Sequence, residues 1–185
     1  MNVILVGYRC SGKTSVGRLL AAKLQRPFFD TDDLIQKSIG KSVREMVEEE
    51  GWIFFRREEK RVVRDLAAKD EGVIALGGGA VLEEENVRNL GTRGFFIWLT
   101  AETRALQERM IGDGKSHDQR PSLSGRDMFE ETKSLLKIRE PLYARIADCR
   151  VETSDRNTEE IAEEIVRILR KTAETGPKRR KRHGG

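Results

Sequence analysis

Residues 7–14 read Gly-Tyr-Arg-Cys-Ser-Gly-Lys-Thr, which has the spacing G-x-x-x-x-G-K-T. A loop of this kind binds nucleotide phosphates, because its backbone N–H groups converge on an anion and the dipole of the following helix favours negative charge. We expect Lys13 to reach the terminal phosphates and the hydroxyl of Thr14 to ligate the Mg²⁺ that bridges them. The alternative is a glycine turn that fits by chance, but the apolar stretch before the loop and the helical pattern after it favour a nucleotide site.

Carboxylates follow a second, shorter apolar stretch, Phe28-Phe29. If this stretch is a strand beside the loop, one carboxylate can hold Mg²⁺ through water and another can accept a proton from an attacking hydroxyl. We expect a functional role for Asp32, which follows Asp30 by two residues. Asp33 is more simply interpreted as the N-cap of the next helix.

Three consecutive glycines, Gly77, Gly78 and Gly79, follow a third apolar stretch. Glycine loses more backbone freedom on folding than any other residue, so a run of three at the end of a buried strand needs a reason. Close approach of a ligand to the backbone is one explanation, and a bulge or tight turn is the other. We favour the ligand.

Arginines are the remaining candidates, because their planar guanidinium groups bind carboxylates through two parallel hydrogen bonds. Arg56 and Arg57 are adjacent, and neighbouring helical residues point about 100° apart, so at most one of them can face a shared pocket. Arg120 lies in a polar stretch before Pro121. From residue type alone, Arg139 is more simply a solvated surface residue on a helix.

The elements that must position these residues alternate between strand and helix. Apolar runs predict strands at 2–6, 28–30, 72–76, 94–99 and 148–152. Helical spacing predicts helices at 13–25, 32–39, 42–69 with a break at Gly51, 83–90, 101–110, 127–146 and 158–171. Pro141 should kink its helix or begin a new segment. The alternation predicts an α/β fold with helices on both faces of a parallel sheet, where ligands bind outside the carboxyl ends of the strands.

The composition limits the class of protein. At 185 residues the chain suits one domain. It contains no apolar run of the roughly 18 residues that cross a bilayer, and Gly7 interrupts the first apolar stretch too early for an export signal. Its two cysteines, Cys10 and Cys149, are too few for a disulfide framework. We therefore expect a protein of the cytoplasm.

The positive charge of the chain is concentrated at its carboxyl end. The formal net charge is +4, but residues 177–185 contain five Lys or Arg and no acid. The rest of the chain has 30 basic and 31 acidic residues. Because this body is neutral, we do not expect specific binding to nucleic acid, and the basic end is predicted to be a disordered tail.

Six motifs occur in the order and spacing found in shikimate kinases, and the chain resembles that family over residues 3–169. The acidic motif, the F-R-R-x-E motif and the triple glycine together distinguish this family from other small P-loop kinases. In chain order the motifs are the loop at 7–14, Phe29-Asp30-Thr31-Asp32, Phe55-Arg56-Arg57-x-Glu59, Gly77-Gly78-Gly79-Ala80-Val81, Arg120-Pro121 and Arg139-x-Pro141-Leu142-Tyr143.

The resemblance implies a three-layer fold of the P-loop NTPase type, with a five-stranded parallel sheet as in nucleoside-monophosphate kinases. Residues 1–173 would form the kinase domain, with a substrate subdomain at about 32–60 and a lid at about 111–124, followed by the tail at 174–185. The implied reaction is Mg²⁺-dependent transfer of the γ-phosphoryl group of ATP to the 3-hydroxyl of shikimate. That reaction is a step of chorismate and aromatic amino-acid biosynthesis.

The resemblance also implies roles for individual residues. Asp32 would hold the shikimate hydroxyls and act as the base, Lys13 and the lid residue Arg120 would stabilise the transferring phosphoryl group, and Thr14 and Asp30 would support Mg²⁺. The implied nucleotide-binding residues are Cys10, Ser11, Gly12, Lys13, Thr14, Ser15, Arg109, Arg120 and Arg156, and the implied substrate-binding residues are Asp32, Arg56, Gly77, Gly78, Gly79 and Arg139.

The chain departs from the family pattern at Cys10, where shikimate kinases usually have glycine. A negative backbone φ at Cys10 would tolerate the cysteine, whereas a positive φ would carry strain. Ala75 also stands where many relatives have a hydroxyl side chain, so any contact of that hydroxyl with the metal's water shell is absent here.

Two other functions stay open from the sequence. A gluconate or nucleoside-monophosphate kinase would share the loop, but Arg56, Arg139 and the triple glycine argue against it. A P-loop switch or nucleic-acid-binding regulator is suggested only by the loop and the basic tail, and the chain has no N-K-x-D guanine motif. We expect a monomer that acts on small molecules and has no membrane or nucleic-acid partner.

Overall fold

The computed structural model describes residues 1–112 and 128–175. Within them five strands form one sheet: β1 (Asn2–Val6), β2 (Phe28–Asp30), β3 (Val73–Ala75), β4 (Gly94–Thr100) and β5 (Cys149–Glu152). The order across the sheet is β2-β3-β1-β4-β5, and all neighbouring strands are parallel. The predicted α/β fold with a five-stranded parallel sheet is therefore confirmed.

Helices connect the strands close to the predicted positions, and the last of them extends beyond residue 171. No helix in the two described ranges is both long and apolar enough to cross a membrane. Most of the predicted lid, including Arg120, lies outside the described residues, as does the tail from residue 176. The helices are α1 (Lys13–Leu24), α2 (Thr31–Ile39), α3 (Val43–Ala67), α4 (Glu84–Gly91), α5 (Thr103–Gly112), α6 (Met128–Ile146) and α7 (Thr158–Thr175), with a 3₁₀ turn at Ala80–Leu82.

Helices cover both faces of the sheet, because successive strand residues point to opposite sides. Along β1, Val3 and Leu5 pack with α1 and α7 on one face. Ile4 and Val6 pack with α2, α3, α4 and α6 on the other face. All four side chains are at most 1% exposed, which explains why β1 is a continuous apolar run rather than an alternating one.

The register of the central strands brings three strand ends to one edge of the sheet. Leu5 of β1 is paired with Ala75 of β3, and Ala75 is paired with Asp30 of β2. The backbone N–H of Leu76 continues this pairing by donating to the carbonyl oxygen of Leu5 at 3.0 Å. The phosphate loop (residues 7–14), the acidic motif and the triple glycine therefore lie side by side.

The start of α2 differs from the prediction by one residue. Asp30, the last residue of β2, is the N-cap, and its carboxylate accepts from the backbone N–H groups of Asp32 at 3.1 Å and Asp33 at 3.5 Å. The prediction that Asp33 caps this helix was wrong, because the helix begins already at Thr31. The side chain of Asp33 instead forms a 3.4 Å ion pair with Arg18 on the surface.

Gly51 and Pro141 were both predicted to disturb long helices. Gly51 interrupts α3 with φ 83° and ψ 169°, as expected. Pro141 lies inside α6, which is a single helix, so of the two effects predicted for it, a kink or a new segment, the new segment does not occur. A proline removes one backbone hydrogen bond from a helix. Burial of Tyr143 and Ile146 on the same helix offsets that loss.

Ser42→Ala should lower the free energy of unfolding by about 1 kcal/mol, because Ser42 closes a capping box at the start of α3. Its hydroxyl accepts from the backbone N–H of Glu45 at 3.2 Å, and the Glu45 carboxylate accepts from the backbone N–H of Ser42 at 2.7 Å. Urea unfolding measures the effect. Ser42→Thr keeps the hydroxyl and should stay close to wild type; equal stability of all three proteins would contradict the capping role.

Candidate active site

The side chain of Lys13 makes hydrogen bonds to the backbone of the phosphate loop to which it belongs. Nζ of Lys13 donates to the carbonyl oxygens of Gly7 at 2.9 Å and Tyr8 at 2.7 Å. Helix α1 begins at Lys13, and its N-cap, Gly12, has no side chain that could occupy the N–H groups of the first turn. The ammonium group and the N–H groups of that turn thus lie at the same helix end, which is the arrangement that binds phosphate.

The backbone of Cys10 has a φ of 58°, in the left-handed region that favours glycine. This conformation costs a residue with a side chain roughly 1–2 kcal/mol. Because φ is positive, the backbone at Cys10 carries the strain that is predicted from the sequence for this case. The glycine usual in shikimate kinases at this place would adopt the same turn without that cost.

Thr14 and Asp30 meet at the end of the loop, as the metal prediction requires. The hydroxyl of Thr14 donates to Oδ2 of Asp30 at 2.7 Å. The other carboxylate oxygen of Asp30 is occupied by the N-cap hydrogen bonds to α2. A hydroxyl and a carboxylate are oxygen ligands of the kind Mg²⁺ prefers, and Lys13 of the same loop precedes Thr14. The residues present therefore fit a Mg²⁺ ion that is shared with nucleotide phosphates.

One pocket beside the loop contains all six residues predicted to bind the substrate, and we call it the acceptor pocket. Asp32 comes from α2, Arg56 from α3 and Arg139 from α6, and the three glycines form its floor. Trp52 and Phe55 supply an apolar wall. Long-range folding thus collects residues from four separate parts of the sequence.

Only one of the two adjacent arginines faces this pocket, as predicted. Arg56 lines it, whereas the side chain of Arg57 is 70% exposed and lies over the ring of Phe54, with Cζ 4.9 Å from the ring centroid. Arg57 is therefore a surface residue. It serves below as the matched control for the arginines of the site.

Two of the three glycines leave room for charged side chains of the pocket. A Cβ atom on Gly77 would come within 2.8 Å of Oδ1 of Asp32 and 3.1 Å of Oε1 of Glu59. A Cβ atom on Gly79 would meet Nη1 of Arg56 at 2.9 Å and Nη2 more closely still. From the sequence, close approach of a ligand is the favoured reason for these glycines. The structure gives a reason within the protein, because larger residues would displace the groups that line the pocket.

Glu59 is a site residue whose role is not evident from the sequence, although it belongs to the F-R-R-x-E motif. Its side chain is 1% exposed and accepts from Nη1 of Arg56 at 2.6 Å. Burial raises the pKa of Glu59, and the neighbouring Arg56 opposes that shift. The spacing of three residues between Arg56 and Glu59 on a helix was the available signal, since residues three apart are neighbours on a helix surface.

Arg139 is buried, which corrects its interpretation from residue type as a surface residue. It is 8% exposed, and its Cζ lies 5.7 Å from the ring centroid of Tyr8. Within the described part of the chain, its buried Nε has no hydrogen-bond partner. One turn further along α6, the hydroxyl of Tyr143 donates to the carbonyl oxygen of Gly78 at 2.5 Å. Burial raises the pKa of Tyr143, so the phenol stays protonated and holds α6 against the glycines.

A second cleft of about 400 Å³ lies on the other side of the loop, and we call it the nucleotide cleft. Arg109 on α5 donates to the carbonyl oxygens of Cys10 at 3.3 Å and Ser154 at 2.8 Å. Arg156 donates to the carbonyl oxygen of Glu160 at 3.2 Å and pairs with Glu164 at 2.5 Å. The predicted nucleotide residues that line the cleft are Cys10, Ser11, Gly12, Ser15, Arg109 and Arg156.

A phosphate loop with an open cleft on one side and a pocket of carboxylates and arginines on the other defines the protein as a P-loop kinase. A sequence profile described as shikimate kinase matches residues 9–170. The chain belongs to the shikimate kinase family. This membership decides against the gluconate and nucleoside-monophosphate kinases that the loop alone left open.

Individual relatives agree with this assignment over nearly the whole chain. Shikimate kinase of Syntrophus aciditrophicus (strain SB) is 45% identical over 174 residues, which cover 90% of this chain and 89% of the relative. Shikimate kinase of Symbiobacterium thermophilum is 45% identical over 176 residues, which cover 95% of this chain and 100% of the relative. The solved structure of shikimate kinase from Acinetobacter baumannii in complex with shikimate superposes with a TM-score of 0.86 and 33% identity, covering 92% of this chain and 93% of that one.

Glu59→Gln should change how stability depends on pH. Because burial raises the pKa of Glu59 above its ordinary value of 4.5, the folded wild type binds more protons than the unfolded chain from pH 4.5 up to the raised pKa. The wild type therefore loses stability as pH rises through that window, and Glu59→Gln does not. The unfolding free energy of Glu59→Gln relative to wild type should increase with pH, measured by urea unfolding.

Glu58→Gln is the matched control for this experiment. A hydrogen bond from Arg61 lowers the pKa of Glu58 below 4.5, so its contribution to stability is present above pH 4.5 and is lost as pH falls through the lowered pKa. The two variants should therefore differ from wild type with opposite slopes, Glu59→Gln in the window above pH 4.5 and Glu58→Gln in the window below it. Equal slopes would contradict the effect of burial on Glu59.

Proposed function

We propose that the protein transfers the γ-phosphoryl group of ATP to the 3-hydroxyl of shikimate and releases shikimate 3-phosphate and ADP. The observation that carries the proposal is the acceptor pocket, in which Asp32, Arg56 and Arg139 stand beside the phosphate loop. Membership of the shikimate kinase family supports the same reaction. The Acinetobacter baumannii relative, whose structure contains shikimate, supports this choice of acceptor.

Arg56 and Arg139 bind the carboxylate of shikimate. A guanidinium group offers paired N–H donors that match the two oxygens of a carboxylate. Arg139 is well suited to this role, since its guanidinium is already withdrawn from water and its Nε has no acceptor among the described residues. A bound carboxylate would supply the hydrogen bonds that a buried cation requires.

Asp32 holds the acceptor hydroxyl and takes its proton. Asp32 is 8% exposed, and its carboxylate lies beside Gly77. In the transfer step the hydroxyl oxygen forms a bond to the γ-phosphorus, the bond from that phosphorus to ADP breaks, and the hydroxyl proton moves to Asp32. The pocket walls of Trp52 and Phe55 limit the access of water as a competing acceptor.

The phosphate loop binds the donor. Lys13 and the N–H groups of the first turn of α1 contact the phosphates, and Thr14 and Asp30 hold Mg²⁺, which when bound neutralises charge on the phosphate oxygens. Arg109 and Arg156 border the space for the rest of the nucleotide. Arg120 of the lid is proposed, from the family resemblance, to close over the phosphates.

The proposed organisation follows the sequence expectations. Residues 1–173 act as one kinase domain with the substrate subdomain at about 32–60 and the lid at about 111–124, and residues 174–185 form an accessory tail. We propose a monomer of the cytoplasm that has no nucleic-acid or membrane partner. The cysteine count supports that compartment, because Cys10 and Cys149 are both free thiols.

Asp32→Asn should lower kcat by about 100-fold or more, because an amide cannot accept the proton of the acceptor hydroxyl. ATP affinity should stay near wild type, since Asp32 lies on the acceptor side of the loop. ADP release measured by a coupled assay with shikimate gives kcat, and equilibrium titration gives the ATP affinity. Wild-type turnover in Asp32→Asn would refute its role as the base.

Arg139→Met should raise the KM for shikimate by about 10- to 100-fold, because a charge-assisted hydrogen bond to the carboxylate contributes roughly 1.5–3 kcal/mol. The KM for ATP should change much less. Arg57→Met removes the same charge from the surface and should leave both constants near wild type. An unchanged KM for shikimate in Arg139→Met would rule out the proposed carboxylate contact.

A further inference from the structure

Arg9 belongs to the phosphate loop, but its side chain lines the acceptor pocket. Nη2 of Arg9 donates to Oε1 of Glu131 at 2.9 Å, and the two side chains are 16% and 4% exposed. The guanidinium also lies over the ring of Tyr8, with Cζ 5.6 Å from the ring centroid. A buried carboxylate and an aromatic ring thus hold one arginine in place at the wall between loop and pocket.

Glu131 leaves most of this guanidinium available for another ligand. The group carries five N–H donors, and among residues 1–112 and 128–175 its side-chain hydrogen bond goes to Glu131 and uses one of them. A surface arginine would gain little from such an anchor, because exposed ion pairs contribute at most about 1 kcal/mol. A mostly buried guanidinium that is fixed by a buried acid is arranged to stabilise negative charge on a bound group.

The position of Arg9 indicates which group that is. The other two arginines of the pocket already have a proposed role. Arg56, which pairs with Glu59, and Arg139 are proposed to bind the substrate carboxylate. Arg9 differs from them because its backbone belongs to the phosphate loop, two residues after Gly7, while its side chain lines the acceptor pocket. At Gly7 the loop touches the pocket floor, since a Cβ atom on Gly78 would lie 3.3 Å from the carbonyl oxygen of Gly7. A phosphoryl group that passes from donor to acceptor must cross this boundary.

We propose that Arg9 is a further catalytic residue, which contacts the oxygens of the γ-phosphoryl group during its transfer while Glu131 holds the guanidinium in position. This inference rests on the proposed function. The charge of the transferring group is spread over three oxygens, and a preorganised donor stabilises that charge without reorganising. Arg9 contributes hydrogen bonds only; the bond changes are those between the hydroxyl oxygen, phosphorus and ADP already described.

Arg9→Ala tests the proposal in the full-length protein. We expect kcat to fall by about 100-fold, as for the loss of one preorganised donor, with a KM for shikimate within about threefold of wild type. Millimolar guanidinium chloride should restore part of kcat, because a free guanidinium ion can occupy the space of the deleted group. Arg57→Ala, the surface control, should show neither the loss nor the recovery. A kcat of Arg9→Ala within about twofold of wild type would overturn the proposal.

Glu131→Gln separates positioning from a purely structural link between the loop and α6. If Glu131 positions Arg9, the variant should lose about tenfold in kcat, with the thermal unfolding temperature close to that of wild type. The opposite outcome is a lowered unfolding temperature in both Arg9→Ala and Glu131→Gln, with kcat unaffected at a temperature where the variants are folded and with no response to guanidinium. That result would show that the ion pair only links the loop to α6, and it would overturn the proposal. If wild-type protein releases no ADP on addition of shikimate, the proposed function itself fails, whatever Arg9 does.

Discussion

The parallel pairing of β3 with both β1 and β2 is the constraint on which the site depends. Leu5, Ala75 and Asp30 are in register, so the loop after β1 and the acidic motif after β2 flank the glycines after β3. A slip of one residue would send each strand's side chains to the opposite face of the sheet. The 2.7 Å contact between Thr14 and Asp30, which the proposed metal site requires, exists because this register is fixed by apolar burial on both faces.

The fixed strand register allows the acceptor pocket to contain charged side chains that are buried from solvent. Glu59 is almost completely buried, and it is tolerated because Arg56 lies within hydrogen-bond distance. Gly77 and Gly79 supply the space in which these groups sit. Arg139 is different, since its buried Nε has no acceptor in the described part of the chain. Leaving a donor unpaired costs stability, and sites for ligands are where proteins retain such costs.

Features set by local sequence could be predicted, and features set by long-range packing could not. Continuous apolar runs located the five strands, and the glycine at position 51 located the break in α3. The cap of α2 was misplaced because the boundary between strand and helix moved by one residue. The burial of Arg139, Glu59 and Arg9 depends on which faces of α3 and α6 meet the loop, and helical periodicity within one segment does not contain that information.

The loop itself divides the two halves of the site at Cys10. The residue before it, Arg9, lines the acceptor pocket, and Ser11 after it lines the nucleotide cleft together with Cys10. Cys10 has a left-handed backbone conformation, with a φ of 58°. It is also the residue at which the loop passes from the acceptor pocket to the nucleotide cleft. The strain at this residue is therefore located at the boundary between donor and acceptor, where backbone strain in proteins is most often functional.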